Sequence, residues 1–241
     1  MRIMTYNIQS GWNNEKPRER NYDFACGVIR EYSPDIVGLN EVGNKTIAGI
    51  PSHSGYMGEK LGMNDFFAPA MIIGGYPYGN AMLTKYELRS AHIVTIPNPP
   101  RVRRGFYEPR CLLEALADTD IGETSILISH FGLVESEQIN AVKTVCDTID
   151  RIRLEAPKRR IILMGDLNMT PDDEKLRPIF SRLSEVTFSV GSPLPTHPSP
   201  EPRSKIDYIF ISDGLKADSI TVPHVTASDH CPIIADISLI G

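Results

Sequence analysis

Apolar positions recur along this chain with two periods, and the two periods predict two kinds of element. Short apolar or alternating runs predict strands, and apolar residues three and four positions apart predict amphipathic helices. Strands are predicted at residues 2–8, 35–42, 66–68, 80–84, 90–96, 111–117, 125–129, 161–164, 205–211, 217–222 and 233–239. Helices are predicted at residues 17–32, 51–61, 136–155 and 171–183. Many strands with few helices and hairpin-length connections predict stacked sheets with helices outside, rather than a simple βαβ wheel.

Connections and helix details follow from the same pattern. Residues 74–79 predict a turn, and the proline-rich stretches 97–109 and 191–202 predict loops. Thr170, followed by Pro171 and Asp173, predicts the start of a helix. The longest helix is predicted to bury the stripe Ile139, Val142, Val145, Cys146, Ile149 and Ile152.

Composition places the chain among ordinary globular proteins. It has 241 residues, 41% hydrophobic and 23% charged, and shows no repeat and no break in composition, so we expect one domain over residues 1–241. No apolar run approaches the ~20 residues of a membrane span. The start of the chain lacks the apolar region of a signal peptide, so we expect a cytoplasmic monomer. Four widely spaced cysteines without metal-binding spacing predict core thiols and no disulfides.

The charge balance argues against a general grip on a polyanion. The net charge is −5 and the isoelectric point is about 5.7, whereas nucleic-acid-binding domains carry basic faces. One cluster of arginines lies in the proline-rich loop and just after it, at Arg101, Arg103, Arg104 and Arg110. These side chains either face a phosphate or are simply exposed to solvent.

Polar residues capable of metal binding or proton transfer stand where several apolar strands end. They are Asn7, Glu41, His130, Asp166, Asn168, Asp207 and the run Ser228-Asp229-His230. Each alone has a structural explanation, such as a turn-forming amide, a solvated acid or a satisfied buried histidine. Asp207 is harder to explain in that way, because it stands in an otherwise apolar strand and a buried carboxylate needs a partner.

Together these residues suit one chemistry. Glu41 and Asp229 offer hard oxygen ligands, which favour Mg²⁺ or Mn²⁺ over zinc. Asp166 is a candidate base for water, and Asn168 can donate a hydrogen bond to an oxyanion. His230 backed by a carboxylate such as Asp207 would form an oriented acid–base pair. Nucleophile-elbow, phosphate-loop and dinucleotide motifs are absent, so metal-assisted attack of water on a phosphoryl group fits best.

Six motifs in order resemble the endonuclease/exonuclease/phosphatase superfamily, small bacterial members in particular. They are Thr5-Tyr6-Asn7-Ile8, Leu39-Asn40-Glu41-Val42, Ser129-His130-Phe131, Gly165-Asp166-Leu167-Asn168, Lys205-Ile206-Asp207-Tyr208-Ile209 and Ser228-Asp229-His230-Cys231-Pro232. The resemblance spans nearly the whole chain. It implies an α/β (α+β) four-layer sandwich, in which two packed mixed β-sheets are flanked by helices as in DNase I-like proteins.

The resemblance also implies residue roles. It makes Glu41 the principal metal ligand, assisted by Asn7 and Asp229. It implies that Asp166 and Asn168 position or activate the attacking water and hold the phosphate. It also implies that His230, oriented by Asp207, contacts the phosphate, and that His130 binds the phosphate or assists the leaving group. Substrate contacts are implied for Asn7, Arg110 and Asn168.

Departures from the family pattern narrow the function. Gln9 stands where abasic-site repair members carry Asp, and Asn40 stands where Gln is common. No leucine-rich repeat and no secretion signal is seen, which counts against deadenylation and against secreted sphingomyelinases. We therefore predict a Mg²⁺-dependent hydrolase, with Mn²⁺ as a substitute, that cleaves a phosphodiester by in-line attack of water. The substrate could be a small molecule, a lipid headgroup or a nucleic acid.

Two alternatives remain at this stage. The first is a phosphomonoesterase acting on inositol phosphates or phospholipid headgroups, and the second is a non-catalytic binding or scaffold member of the fold.

Overall fold

Twelve strands and four α-helices make up the part of the chain that the computed structural model describes, residues 1–13, 21–43, 52–100, 107–191 and 194–241. The strands are β1 (Arg2–Asn7), β2 (Ile36–Gly43), β3 (Asn64–Ile73), β4 (Tyr76–Thr84), β5 (Leu88–Thr95), β6 (Cys111–Thr119), β7 (Gly122–Ser129), β8 (Arg160–Asp166), β9 (Ser184–Glu185), β10 (Asp207–Ile211), β11 (Leu215–Thr221) and β12 (Ile233–Leu239). The helices are α1 (Asp23–Tyr32), α2 (His53–Leu61), α3 (Glu135–Glu155) and α4 (Arg177–Phe180), and short 3-10 helices cover Gln9–Gly11, Glu174–Leu176 and Val186–Val190.

The strands form two mixed sheets of six. One has the order β11-β12-β1-β2-β4-β3 and the other β5-β6-β7-β8-β10-β9. Each sheet contains one parallel pair near its centre, β1 with β2 and β7 with β8, and its other pairs are antiparallel. The predicted four-layer sandwich is therefore confirmed, with helices outside two packed sheets.

Alternate side chains of the central strands pack into two different hydrophobic cores, one on each face of the sheet. Ile162 and Met164 of β8 pack between the sheets, while Ile161 and Leu163 pack under α3 and α4. A third core lies under α1 and α2 on the first sheet. Burial on both faces is why these strands read as continuous apolar runs. The sheets approach closely at Gly38, where a Cβ would come within 2.6 Å of Met164 Sδ.

Several predicted elements need correction. The predicted 74–79 turn is wrong in extent, because β3 and β4 pair up to Ile73 opposite Tyr76 and only Gly74 and Gly75 turn, both with positive φ. The first helix begins at Asp23, and its predicted residues 17–20 lie outside the described residues. Strand β9 was not predicted.

The predicted helix 171–183 is also shorter than expected. Thr170 does not cap it, because the Thr170 hydroxyl donates to Asp172 Oδ1 (2.6 Å). Asp173 caps the short 3-10 helix instead by accepting from the Lys175 amide (2.9 Å), and α4 follows with a single turn. In α3 the stripe is confirmed except for Ile139, which is 51% exposed. All four cysteines are buried and free, as predicted.

Candidate active site

Polar residues at the ends of several strands lie along one rim of the sandwich. Parallel neighbours carry their carboxyl ends to the same edge of a sheet, so β1 brings Asn7 beside β2, and β7 and β8 end together. Strand β10 runs the other way and begins at this edge, with Asp207 directly opposite Asp166. The register of an antiparallel pair thus sets two carboxylates side by side.

The carboxylate of Asp166 is the centre of this rim. Its Oδ1 accepts from the Asn168 backbone amide (2.9 Å), and its Oδ2 accepts from Asn7 Nδ2 (3.1 Å). Two ring nitrogens also face Oδ2, His130 Nε2 at 3.5 Å and His230 Nε2 at 3.7 Å. Burial, reinforced by the Asp207 carboxylate, raises the pKa of Asp166 to about 7. The group can therefore change protonation near neutral pH.

His230 carries a positive charge at this rim. Its Nδ1 lies 2.8 Å from Asp207 Oδ2. Burial acts to lower the pKa of His230, but the carboxylates of Asp207, Asp166 and Asp229 outweigh it and raise the pKa to about 10. Burial likewise acts to raise the pKa of Asp207, and the charge and hydrogen bond of His230 bring that pKa below its ordinary value. The pair is a buried imidazolium–carboxylate.

His130 is neutral for the opposite reason. Burial, Arg110 and His230 hold the pKa of His130 well below its usual range. Arg110 Nη1 donates to His130 Nδ1 (2.8 Å), and a guanidinium can only donate. Since the two nitrogens of a neutral imidazole cannot both accept, the proton is on Nε2. His130 Nε2 faces Asp166 and lies 3.1 Å from Asn168 Nδ2. Asn168 Nδ2 itself donates to the Phe131 carbonyl (3.0 Å).

Arg110 itself is buried, and both of its terminal nitrogens have protein partners. Nη1 contacts His130, and Nη2 pairs with the Glu108 carboxylate. Only Nε has no hydrogen-bond partner among the described residues. Arg101, Arg103 and Arg104 of the predicted cluster lie outside the described residues.

Glu41 sits on backbone that L-residues rarely adopt. Its φ is +59°, at the point where the β2–β4 register shifts between Leu39 and Val42. Strain of this kind occurs often at functional sites. Asn7 Nδ2, which also holds Asp166, donates to Glu41 Oε1 (3.1 Å), while Asn7 Oδ1 accepts from the Gln9 amide (3.0 Å). Asn7 therefore joins two carboxylates through its nitrogen.

Asp229 lies beside two imidazoles. One ligand atom from each of His197, Asp229 and His230 lies within 4.8 Å of the others. The rings of His197 and His230 are 4.7 Å apart, centre to centre. His197 was not singled out from the sequence, which predicted only that residues 191–202 form a proline-rich loop.

Asn40 and Tyr78 were also missed as individual site residues. Asn40 joins the two sheets below the rim, because its Oδ1 accepts from the Asp166 amide (2.9 Å) and its Nδ2 donates to the Ser129 carbonyl (3.1 Å). The signal in the sequence was an amide within an apolar strand, directly before Glu41. The Tyr78 hydroxyl lies at the rim beside the Glu41 carboxylate, and burial together with that carboxylate raises the pKa of Tyr78.

Comparison with known proteins decides the family. A model of the Endonuclease/Exonuclease/phosphatase family matches residues 4–230, nearly the whole chain. The chain belongs to this family. Members of the endonuclease/exonuclease/phosphatase family are generally hydrolytic phosphoesterases and commonly use divalent metals. Among curated proteins, no sequence relative of the chain is found.

Solved structures agree with the family assignment at the level of the fold. A family protein from Leptotrichia buccalis has 20% identity and a TM-score of 0.78, covering 99% of this chain and 100% of that one. The mannosyl-6-phosphatase Bt3783 of Bacteroides thetaiotaomicron has 16% identity with the same TM-score and coverage. The human Nocturnin catalytic domain, with bound sulfate, has 18% identity and a TM-score of 0.76, covering 100% of this chain and 93% of that one. No helix among the described residues has the length and apolar character to cross a membrane.

Proposed function

We propose that this family member is a Mg²⁺-dependent hydrolase that cleaves a phosphodiester bond by in-line attack of water. The observation that carries the proposal is the convergence on Asp166 Oδ2 of the Asn7 amide and the ring nitrogens of His130 and His230. The same Asn7 nitrogen also holds Glu41. A proton acceptor, three hydrogen-bond donors and a carboxylate suited to metal binding thus share one small region.

The residues present suit Mg²⁺ at Glu41. The carboxylate is a hard oxygen ligand, it is half-buried, and Asn7 holds it toward Asp166. Asp229 stays a proposed additional ligand. For Asn7, whose nitrogen faces both carboxylates, we propose a positioning role beside the metal contact that its oxygen could make. When bound, Mg²⁺, or Mn²⁺ in its place, would neutralise charge on the phosphate and the leaving oxygen.

Asp166 is proposed to take the proton of the attacking water. Its pKa of about 7 suits this task, because a general base works best when its pKa lies near the working pH. The Asn168 amide holds Oδ1 of this carboxylate, which leaves Oδ2 directed at the donors. The Asn168 side chain, beside His130 Nε2, is placed to contact a phosphate oxygen.

The two histidines are proposed to have different roles. His230, a cation oriented by Asp207, binds the negatively charged phosphate. His130, neutral with its proton on Nε2, donates a hydrogen bond to a phosphate or leaving-group oxygen. Arg110 keeps His130 in this tautomer. Each terminal nitrogen of Arg110 uses one N–H on a protein partner and keeps a second N–H that could donate to the substrate.

The charges at the rim favour a diester over a monoester. Within the described ranges His230 is the cation that faces Asp166, whereas the terminal nitrogens of Arg110 are paired with protein groups. A phosphodiester carries one negative charge, and a monoester carries nearly two near neutral pH. One imidazolium together with a metal ion matches the diester better.

Turnover of bis(p-nitrophenyl) phosphate tests the proposal. Glu41→Gln removes the metal-binding charge and His230→Ala removes the cation, so each should lower Mg²⁺-supported turnover at least about a hundredfold. Glu31→Gln, on the exposed surface of α1, is the matched control and should keep the wild-type rate. Unchanged turnover in both site variants would sink the proposal. Faster hydrolysis of p-nitrophenyl phosphate than of the diester would favour the phosphomonoesterase instead.

A further inference from the structure

Asp229 and His230 belong to a cluster of possible ligands that includes a residue outside the proposed machinery. His197 supplies the third atom, within 4.8 Å of the other two. His197 is partly buried, and its ring centre lies 4.7 Å from that of His230. An imidazole therefore faces a carboxylate and a second imidazole.

The backbone holds His197 in this place. Residues 196–204 fold back on themselves, with His197 and Ser204 paired as a β-bridge. The loop is then bonded to the segment that carries the other two ligands. The Ser199 amide donates to the Asp229 carbonyl (2.7 Å), and the Cys231 amide donates to the Thr196 carbonyl (2.7 Å). The separation of His197 from His230 is thus set by main-chain bonds on both sides.

Two imidazoles and one carboxylate form a ligand set unlike that of Glu41. Imidazole nitrogen suits Zn²⁺, which often takes three protein ligands and keeps one position open, whereas Mg²⁺ prefers oxygen alone. His230 Nδ1 donates to Asp207 Oδ2, and zinc-binding histidines usually have such a carboxylate partner on the ring nitrogen that does not bind the metal. Nε2 of His230 is therefore the nitrogen available to a metal.

We propose that His197, Asp229 and His230 form an inhibitory Zn²⁺ site at the phosphate-binding side of the rim. Binding releases the proton of His230 Nε2, whose electron pair then coordinates the metal, and no electrons are transferred. The inhibitory part rests on the proposed function, since His230 Nε2 cannot both coordinate Zn²⁺ and donate to a phosphate. Zn²⁺ in the cluster therefore removes the hydrogen bond that His230 donates to the phosphate in the proposed function.

Binding is measured on the untagged full chain without Mg²⁺, by calorimetry with Zn²⁺ and by visible absorption with Co²⁺ as a spectroscopic substitute. We expect one Zn²⁺ per wild-type chain and cobalt bands without a thiolate charge-transfer band. His197→Gln should weaken Zn²⁺ binding at least about tenfold. His224→Gln, an exposed histidine outside the cluster, and Glu41→Gln should both bind as the wild type does. Wild-type affinity in His197→Gln, or loss of binding in Glu41→Gln, would overturn the site.

Inhibition is measured separately, as Zn²⁺ titrations of Mg²⁺-supported diester hydrolysis. Each variant is compared with its own zinc-free rate, so a change in basal rate does not matter. The His197→Gln variant should need at least about ten times more Zn²⁺ for half inhibition. Equal inhibition of both proteins would overturn the inhibitory role. The binding arm needs no activity, so failure of the phosphodiesterase proposal can be told apart from failure of the metal site.

Discussion

Two histidines at one rim differ in charge, His230 cationic and His130 neutral, because their neighbours differ. His230 Nδ1 faces the carboxylate of Asp207, and His130 Nδ1 faces the guanidinium of Arg110. Burial disfavours the charged form of both rings, so the partner decides. A phosphate at this rim would meet one cation and one neutral donor. Residue type alone could not assign these states.

The pH dependence of stability should report the charge of His230. Its pKa of about 10 in the folded protein lies above the ordinary value of 6.5, so its stabilising contribution is complete below about pH 6.5 and is lost as the pH rises through about 10. His230→Gln should lower the free energy of unfolding by about 3 kcal/mol near neutral pH, because it leaves Asp207 buried without its partner. The difference in the free energy of unfolding between His230→Gln and the wild type should become smaller as the pH approaches about 10.

Urea unfolding at a series of pH values measures this gap. His224→Gln serves as control, because His224 is exposed and bonds only a loop carbonyl. The control should stay within about 0.5 kcal/mol of the wild type at every pH. A gap for His230→Gln that is constant between about pH 6 and pH 10 would contradict the charged state assigned to His230.

At the scale of the elements, the position before the last residue of strand β8 can hold only glycine. Gly165 has a φ of +143°, and a Cβ there would lie 1.9 Å from the Ser129 carbonyl oxygen of β7. Asn40 Oδ1 also lies close, at 3.3 Å from that position. The glycine lets β8 pass close to β7 just before Asp166, so it sets the position of the central carboxylate.

Gly165→Ala should therefore be strongly destabilising. A loss of at least about 3 kcal/mol in the free energy of unfolding is expected, because backbone rather than a flexible side chain opposes the new methyl. Gly27→Ala in α1 is the matched control, since a Cβ there meets nothing within 4 Å and should stabilise the helix by about 0.5–1 kcal/mol. Chemical denaturation of both variants measures the contrast. Similar stability of the two would show that the approach of β7 to β8 relaxes easily.

At the scale of the whole molecule, the net charge limits which substrates can be attracted by long-range electrostatics. The chain carries −5 overall. Arg151, Arg159 and Arg182 are paired with acidic side chains. Long-range attraction of a polyanion needs a basic face with free charges. Recognition should therefore depend on contacts within the rim.

Binding to duplex DNA should accordingly be weak and only mildly dependent on salt. Each neutralised phosphate adds about 0.9 to the slope of log K against log salt, so a slope below about 4 in magnitude is expected even if Arg101, Arg103 and Arg104 contribute with His230. Fluorescence anisotropy with a labelled duplex between about 50 and 200 mM salt measures it. A slope of about 6–10 would contradict the expectation and point to an extended phosphate-binding face.

The sequence by itself determined most of the elements and pointed to the polar residues at their ends. Strands β2 and β8 and helix α3 were predictable because burial imposes a period on apolar positions, and Asn7, Glu41, Asp166 and His230 stood out as polar residues where that period breaks. Six motifs in the order found in a known family also predicted the four-layer sandwich. Local signals were less reliable where alternatives competed, as at Thr170, whose hydroxyl bonds Asp172 instead of capping a helix.

Only the tertiary structure decided which of those residues meet and in what protonation state. Asp166 faces Asp207 because β8 and β10 pair in one particular register. Arg110 contacts His130, and His197 packs on His230, across 20 and more residues of intervening chain. Such contacts depend on sheet order and on how loops are bonded to their neighbours, and neither leaves a period in the sequence. The charges follow from burial and from these partners, so they exist only once the two sheets have packed.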